Sequence, residues 1–183
     1  MKHLRAEYNT YSLIDIAESL HVNYYDILIA MILRASEMLE NLKRLDIYGT
    51  AHKYTTTCTD VLEKIQVCMN DRRQALLPYI SDLYNKDTTG HNCGTCSGAC
   101  DIGHQFHLMQ LHESHKELTK MLFDLQYSAL PLYSNIGYPE IYRELRNEMY
   151  LVDAIVKELF FLEESNLIPK ILESQKKINV HRY

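Results

Sequence analysis

Ser114-His115-Lys116-Glu117-Leu118-Thr119-Lys120-Met121-Leu122-Phe123-Asp124-Leu125 decides the fold class. Leu118, Leu122 and Leu125 recur at spacings of three and four, and Leu108 and Leu111 extend the stripe upstream, which is the period of an amphipathic helix. Pro131 stops it, and a helix from about 98 to 130 follows.

The glycines divide the rest. Four of the six lie between Gly90 and Gly103, and the others are Gly49 and Gly137, so the chain falls into four long pieces. The first reads as a helix over 23–45, with Ile32, Ala35, Leu39 and Leu42 in phase and a separate short helix over 13–20 before it. The second spans 57–84 with Val61, Ile65, Cys68, Ala75, Leu76 and Tyr79 in phase. The fourth opens at Tyr138-Pro139-Glu140, where proline suits the first helical position, and carries Leu145, Val152, Val156, Leu159 and Leu167. No segment alternates in the manner of a strand. Four such helices must bury their stripes on one another, so the expectation is an all-α, antiparallel up-down four-helix bundle forming one domain over 1–183, with its core over 23–176.

Composition sets limits. In 183 residues, 46% are hydrophobic and 23% charged, which fits a folded chain with one sizeable core. A formal net charge of -5 opposes a phosphate-binding surface, so no nucleic-acid partner is expected. No stretch comes close to an unbroken apolar span of about 18 residues, and the N-terminus lacks an apolar leader core, so no membrane is expected and a cytoplasmic location is. Thiols stay reduced there, and clustered cysteines read first as metal ligands or redox groups. Apolar flanks on long helices are compatible with a homodimer.

Such a cluster lies between the second and third helices. His91-Asn92-Cys93-Gly94-Thr95-Cys96-Ser97-Gly98-Ala99-Cys100-Asp101-Ile102-Gly103-His104-Gln105-Phe106-His107 holds three of the five cysteines and three of the nine histidines. With a helix starting near Ser97 or Gly98, Cys100 and His104 fall one turn apart, and Cys93 and Cys96 reach them from the loop. Three thiolates and an imidazole suit tetrahedral zinc, and iron stays open. His91 and His107 compete with His104 for the fourth position, and an iron–sulfur cluster or a reversible Cys93–Cys96 disulfide are alternatives.

Two closing phrases match one another. Arg72-Arg73-Gln74-Ala75-Leu76-Leu77-Pro78 and Glu163-Glu164-Ser165-Asn166-Leu167-Ile168-Pro169 each set two apolar residues and a proline at the same offset. Together with the phrase that begins at Ser114, they resemble the hemerythrin-like, or HHE cation-binding, family over roughly 25–175. The resemblance implies a bundle holding two irons through histidines and carboxylates, with roles in binding oxygen, sensing it or repairing oxidant damage. This chain departs from that pattern. The positions ten and six residues before Pro78 are Cys68 and Arg72, those before Pro169 are Leu159 and Glu163, and of the family's ligands only His115 and Glu163 remain. Helical phase puts Arg72 and Glu163 on the apolar faces of equivalent helices, and the expectation is an ion pair between them where the family would bridge its irons, the alternative being that one or both reach out to the surface. His115, Cys68 and Glu163 read either as ordinary core residues or as the remnant of a core metal site.

The function expected is a metal-binding, hemerythrin-like redox or oxidative-stress sensor. A structural or interaction bundle with a stabilising zinc, and a di-iron oxygen-binding or oxidoreductase protein, are the alternatives. Nothing in the sequence resembles a nucleophile elbow, a P-loop, a dinucleotide fingerprint or a triad. Cys58 is expected as a small packed residue, and Tyr24, Tyr79, Tyr127 and Tyr142 as hydrogen-bonding residues in or near the core.

Overall fold

The computed structural model describes residues 8, 10–45, 50–90, 99–130 and 140–180, without the side chains of 50–51, 99–106 and 179–180. Among the described residues there is no strand, and four long helices make up the fold. Helix α1 combines Leu13–Leu20, a five-residue π turn at His21–Tyr25, and Asp26–Lys43. Helix α2 combines Thr50–Asp71, a π turn at Arg72–Leu76, and Leu77–Thr89. Helix α3 is Ala99–Ala129, and α4 combines Glu140–Leu162, a π turn at Glu163–Leu167, and Ile168–Val180.

The start of α1 has a local cause. Ser12 accepts from the Asp15 backbone N–H at 3.2 Å while the Asp15 carboxylate accepts from the Ser12 N–H at 3.1 Å, a reciprocal cap. At the end of α2, Gly90 takes φ 80°, where a side chain would be strained.

The expected stripes are the buried ones. Ile32, Ala35, Leu39 and Leu42 of α1, Val61, Ile65 and Leu76 of α2, Leu111, Leu118, Leu122 and Leu125 of α3, and Leu145, Val152, Val156, Leu159 and Leu167 of α4 all belong to one apolar cluster. Burying a leucine or isoleucine is worth about 1.5–3 kcal/mol, so this cluster is the main source of cohesion. Helix α1 packs on α2 and α4, and α3 packs on α2 and α4. Cross-links between helices include Arg34 Nη2 to Glu148 Oε1 at 2.8 Å, Gln175 Nε2 to the Tyr79 hydroxyl at 2.8 Å, and Lys64 to Glu117.

Three expectations change. The segment over 13–20 is the first part of α1, because a π turn joins it to the rest without a break. That continuous helix, Leu13–Lys43, is long and apolar enough to cross a membrane, with an 18-residue window of mean hydropathy 1.2, of which 44% is buried inside the protein. Ile16, Leu20, Tyr25 and Leu28 in it are fully buried. Tyr127 is 66% exposed, since its position on α3 lies off the leucine stripe, whereas Tyr24 and Tyr142 are buried.

Candidate functional site: a buried polar cluster

One residue from each helix meets in the core. The Arg72 guanidinium grips the Glu163 carboxylate with two bonds, Nε to Oε1 at 2.7 Å and Nη2 to Oε2 at 2.9 Å. The Tyr25 hydroxyl donates to Oε1 at 3.0 Å, and His115 Nε2 lies 2.6 Å from Oε2. Each carboxylate oxygen therefore has two donors, which saturates its lone pairs. Glu163 and Tyr25 are 0% exposed, Arg72 3% and His115 4%.

The outer contacts hold these groups in place. Arg72 Nη1 donates to the Cys68 carbonyl at 3.1 Å and Nη2 to Ser114 Oγ at 3.3 Å, while Ser114 returns its own hydrogen to the Leu111 carbonyl at 2.8 Å. His115 stacks on Phe160 with ring centroids 4.0 Å apart, and the Arg72 Cζ lies 5.8 Å from the same ring. The second imidazole nitrogen, Nδ1, faces Glu164 Oε1 at 3.0 Å. Ionised carboxylates only accept, so whichever imidazole nitrogen carries hydrogen donates to the carboxylate it faces.

The helix geometry that brings these side chains together is unusual. In each π turn a backbone N–H reaches back five residues: Asp26 to His21, Leu77 to Arg72, and Ile168 to Glu163. Pro78 and Pro169 follow at the second position of the next α segment, where an ordinary turn would need an N–H that proline lacks and would crowd its ring against the turn before. The wider turn relieves both. In α1 no proline follows, so the π turn there has no local cause, and it is the one that ends on Tyr25. The π turns of α1 and α2 touch, and the first part of α1 lies against the π turn of α4. Single π turns of this kind concentrate at functional sites.

Electrostatics agree with the geometry. Burial alone would raise the Glu163 carboxyl, but the Arg72 charge and the bonds from His115 and Arg72 overcome it and bring the pKa down to about 2. Burial works against the Arg72 charge, and Glu163 outweighs it, keeping the guanidinium protonated. Burial and the neighbouring Glu163 charge push the Tyr25 hydroxyl well up, so it stays a donor. Cys68, on the next turn, is raised by burial in spite of Arg72, and Cys58 is pushed up to about 12 for the same reason, so neither is a primed nucleophile.

The cluster does not fit a resident iron. Both oxygens of Glu163 are occupied, and a cation placed against them would meet the Arg72 guanidinium at bonding distance. Among the described residues no three histidine, cysteine, aspartate or glutamate side chains are grouped to hold a metal. A cleft of about 40 Å³ beside Arg72, lined by Cys68, Asp71, His107 and Ser114, has room for a few waters.

Of the residues singled out by sequence, Arg72, Glu163 and His115 come together, and Cys68 contributes its carbonyl. His107 stacks on Tyr79 at 4.8 Å and borders the cleft beside Arg72. His91, Cys93 and Cys96 lie outside the described residues, as do the side chains of Cys100 and His104, whose backbones are in α3. Tyr25, Ser114 and Glu164 were not expected here. Glu164 was available from the paired glutamates of the closing phrase, whereas Tyr25 was hidden by the π turn that changes the phase of α1. Comparison with protein-family models, with curated proteins and with solved structures gives no match.

Proposed function

We propose that this chain is an antiparallel up-down bundle of hemerythrin-like type whose core metal position has been taken over by a salt-bridged clamp, and whose metal chemistry lies at the start of α3. Helix directions support the architecture. Arg34 meets Glu148 while Tyr25 meets Glu163, so partners fall along α4 as they rise along α1, and the pairs Lys64–Glu117 and Arg72–Ser114 run oppositely in α2 and α3. His115–Glu163 and Gln126–Asp153 do the same for α3 and α4.

The observation that carries the functional reading is the saturated Glu163 carboxylate. With the core closed to a cation, Cys93, Cys96, Cys100 and His104, with His91 and His107 as alternates, are the remaining set of soft ligands, and α3 begins at Ala99 so that Cys100 and His104 are four residues apart within it. The protein then acts as a cytoplasmic metal-binding sensor of oxidative stress, since oxidation of zinc- or iron-bound thiolates releases the ion.

Elemental analysis of untagged protein, prepared without added metal, tests this. About one equivalent of zinc or iron is expected, lost on treatment with peroxide and absent from the Cys93→Ser, Cys96→Ser variant, while the helical circular dichroism remains. Metal-free protein with full helicity would overturn the reading. The exposed Phe123 and Tyr127 of α3, with Leu130 just beyond its end, favour the interaction-bundle alternative, which predicts that metal loss lowers the melting temperature with no response to oxidant.

A further inference from the structure

A second buried carboxylate is left half satisfied. Asp153 of α4 is 5% exposed; its Oδ2 accepts from Lys157 Nζ at 2.7 Å and from the Gln126 amide, whereas Oδ1, also buried, has no hydrogen-bond partner. A buried acceptor with no donor has lost its water without replacement, which is unfavourable. Asp153 lines a crevice of about 20 Å³ where Tyr54 of α2 meets α3 and α4, room for a single water-sized group.

The surroundings define the missing donor. Lys157 already answers the Asp153 charge at Oδ2, and Arg146, which also lines the crevice, brings a second positive charge and takes part in an interaction of its own. A cation entering would meet both, and an anion would meet Asp153. A neutral donor meets neither penalty, and a hydroxyl donating to a carboxylate makes a short, charge-assisted bond. The walls, Leu122, Leu125 and Met149, are apolar. Tyr150, which lines the crevice, is 65% exposed. An aromatic side chain left in water at the mouth of a small well suits a ring that lies outside and sends one atom in.

We propose that the α3–α4 crevice binds a phenolic hydroxyl, with the O–H donated to Asp153 Oδ1 and the ring resting on Tyr150. Both a free phenolic compound and a tyrosine side chain of a partner peptide carry this group.

Proton–nitrogen NMR of the full-length chain tests it, with phenol, its methyl ether anisole, benzylammonium and N-acetyltyrosinamide as probes. Phenol at millimolar concentration is expected to shift amides of residues 122–129 and 146–153 and to bind at least about tenfold more tightly than anisole, which lacks the donor. Asp153→Asn should remove most of that preference and leave anisole binding unchanged. Tyr150→Ala, at an exposed position that leaves folding intact, should weaken both ligands. N-acetyltyrosinamide binding above phenol points to a peptide-borne source, and binding below it to a free one. Equal affinity for phenol and anisole, tighter binding of benzylammonium, or no shift with any probe would overturn the proposal, the last meaning that the well holds water alone.

Discussion

Glu163 and Asp153 lie ten residues apart on α4, both are buried, and they are held in opposite ways. Glu163 receives four donors from three other helices, and both its oxygens are occupied. Asp153 receives two donors at one oxygen, one of them from Lys157 on its own helix, and nothing at the other. A buried charge therefore does not by itself mark a stabilising element. What matters is how many fixed donors meet it, and whether those donors would be stranded without it.

The difference can be broken first at the clamp. Replacing Glu163 with Leu leaves the Arg72 guanidinium buried without a counter-charge, and urea denaturation should show a loss of about 3–5 kcal/mol. Adding Arg72→Met to that variant should restore most of the loss, because both members of the pair are then apolar.

Acid probes the same carboxylate without mutation. The Glu163 pKa is depressed to about 2 from an ordinary 4.5, so its contribution is fully present above pH 4.5 and is lost as pH falls toward 2. The depression corresponds to about 3 kcal/mol, and denaturant midpoints measured across that interval should fall accordingly. The Glu163→Leu, Arg72→Met variant should have a visibly flatter acid limb.

Tyr25→Phe removes one of the four donors and keeps the ring packing, so a loss of about 2 kcal/mol is expected by thermal or chemical unfolding. Asp153→Leu sharpens the contrast from the other side. Gln126 and Lys157 are exposed and can turn to solvent, and an acceptor with no donor is removed, so stability should stay within about 1 kcal/mol of the parent. The smallest effect belongs to the outer pair: Arg34→Ala breaks a bond to Glu148 from a largely exposed guanidinium, and a change of about 0.5 kcal/mol, shrinking further in salt, is expected.

Much of the bundle was legible because leucines and their equivalents recur at helical spacing in all four helices, and that signal survives any error in helix ends. Arg72 and Glu163 were legible for a related reason: a charge in phase with an apolar stripe needs a partner, and the repeated proline phrase set the two at equivalent positions. The role of Tyr25 was not legible. A π turn adds a residue to the cycle, so counting by 3.6 places Tyr25 wrongly, and no proline after it gives the turn away. Asp153 was overlooked because a lone aspartate among leucines reads as a surface position, and only its neighbours across α3 reveal its burial.

The convergence of four helices on one carboxylate also has a consequence in time. Glu163 stands 48, 91 and 138 residues from His115, Arg72 and Tyr25, so every one of those contacts must close a long stretch of intervening chain. The clamp closes late, after local helices and leucine contacts have formed, so weakening it should leave the folding rate nearly unchanged and speed unfolding instead. Its principal effect is on the lifetime of the folded state.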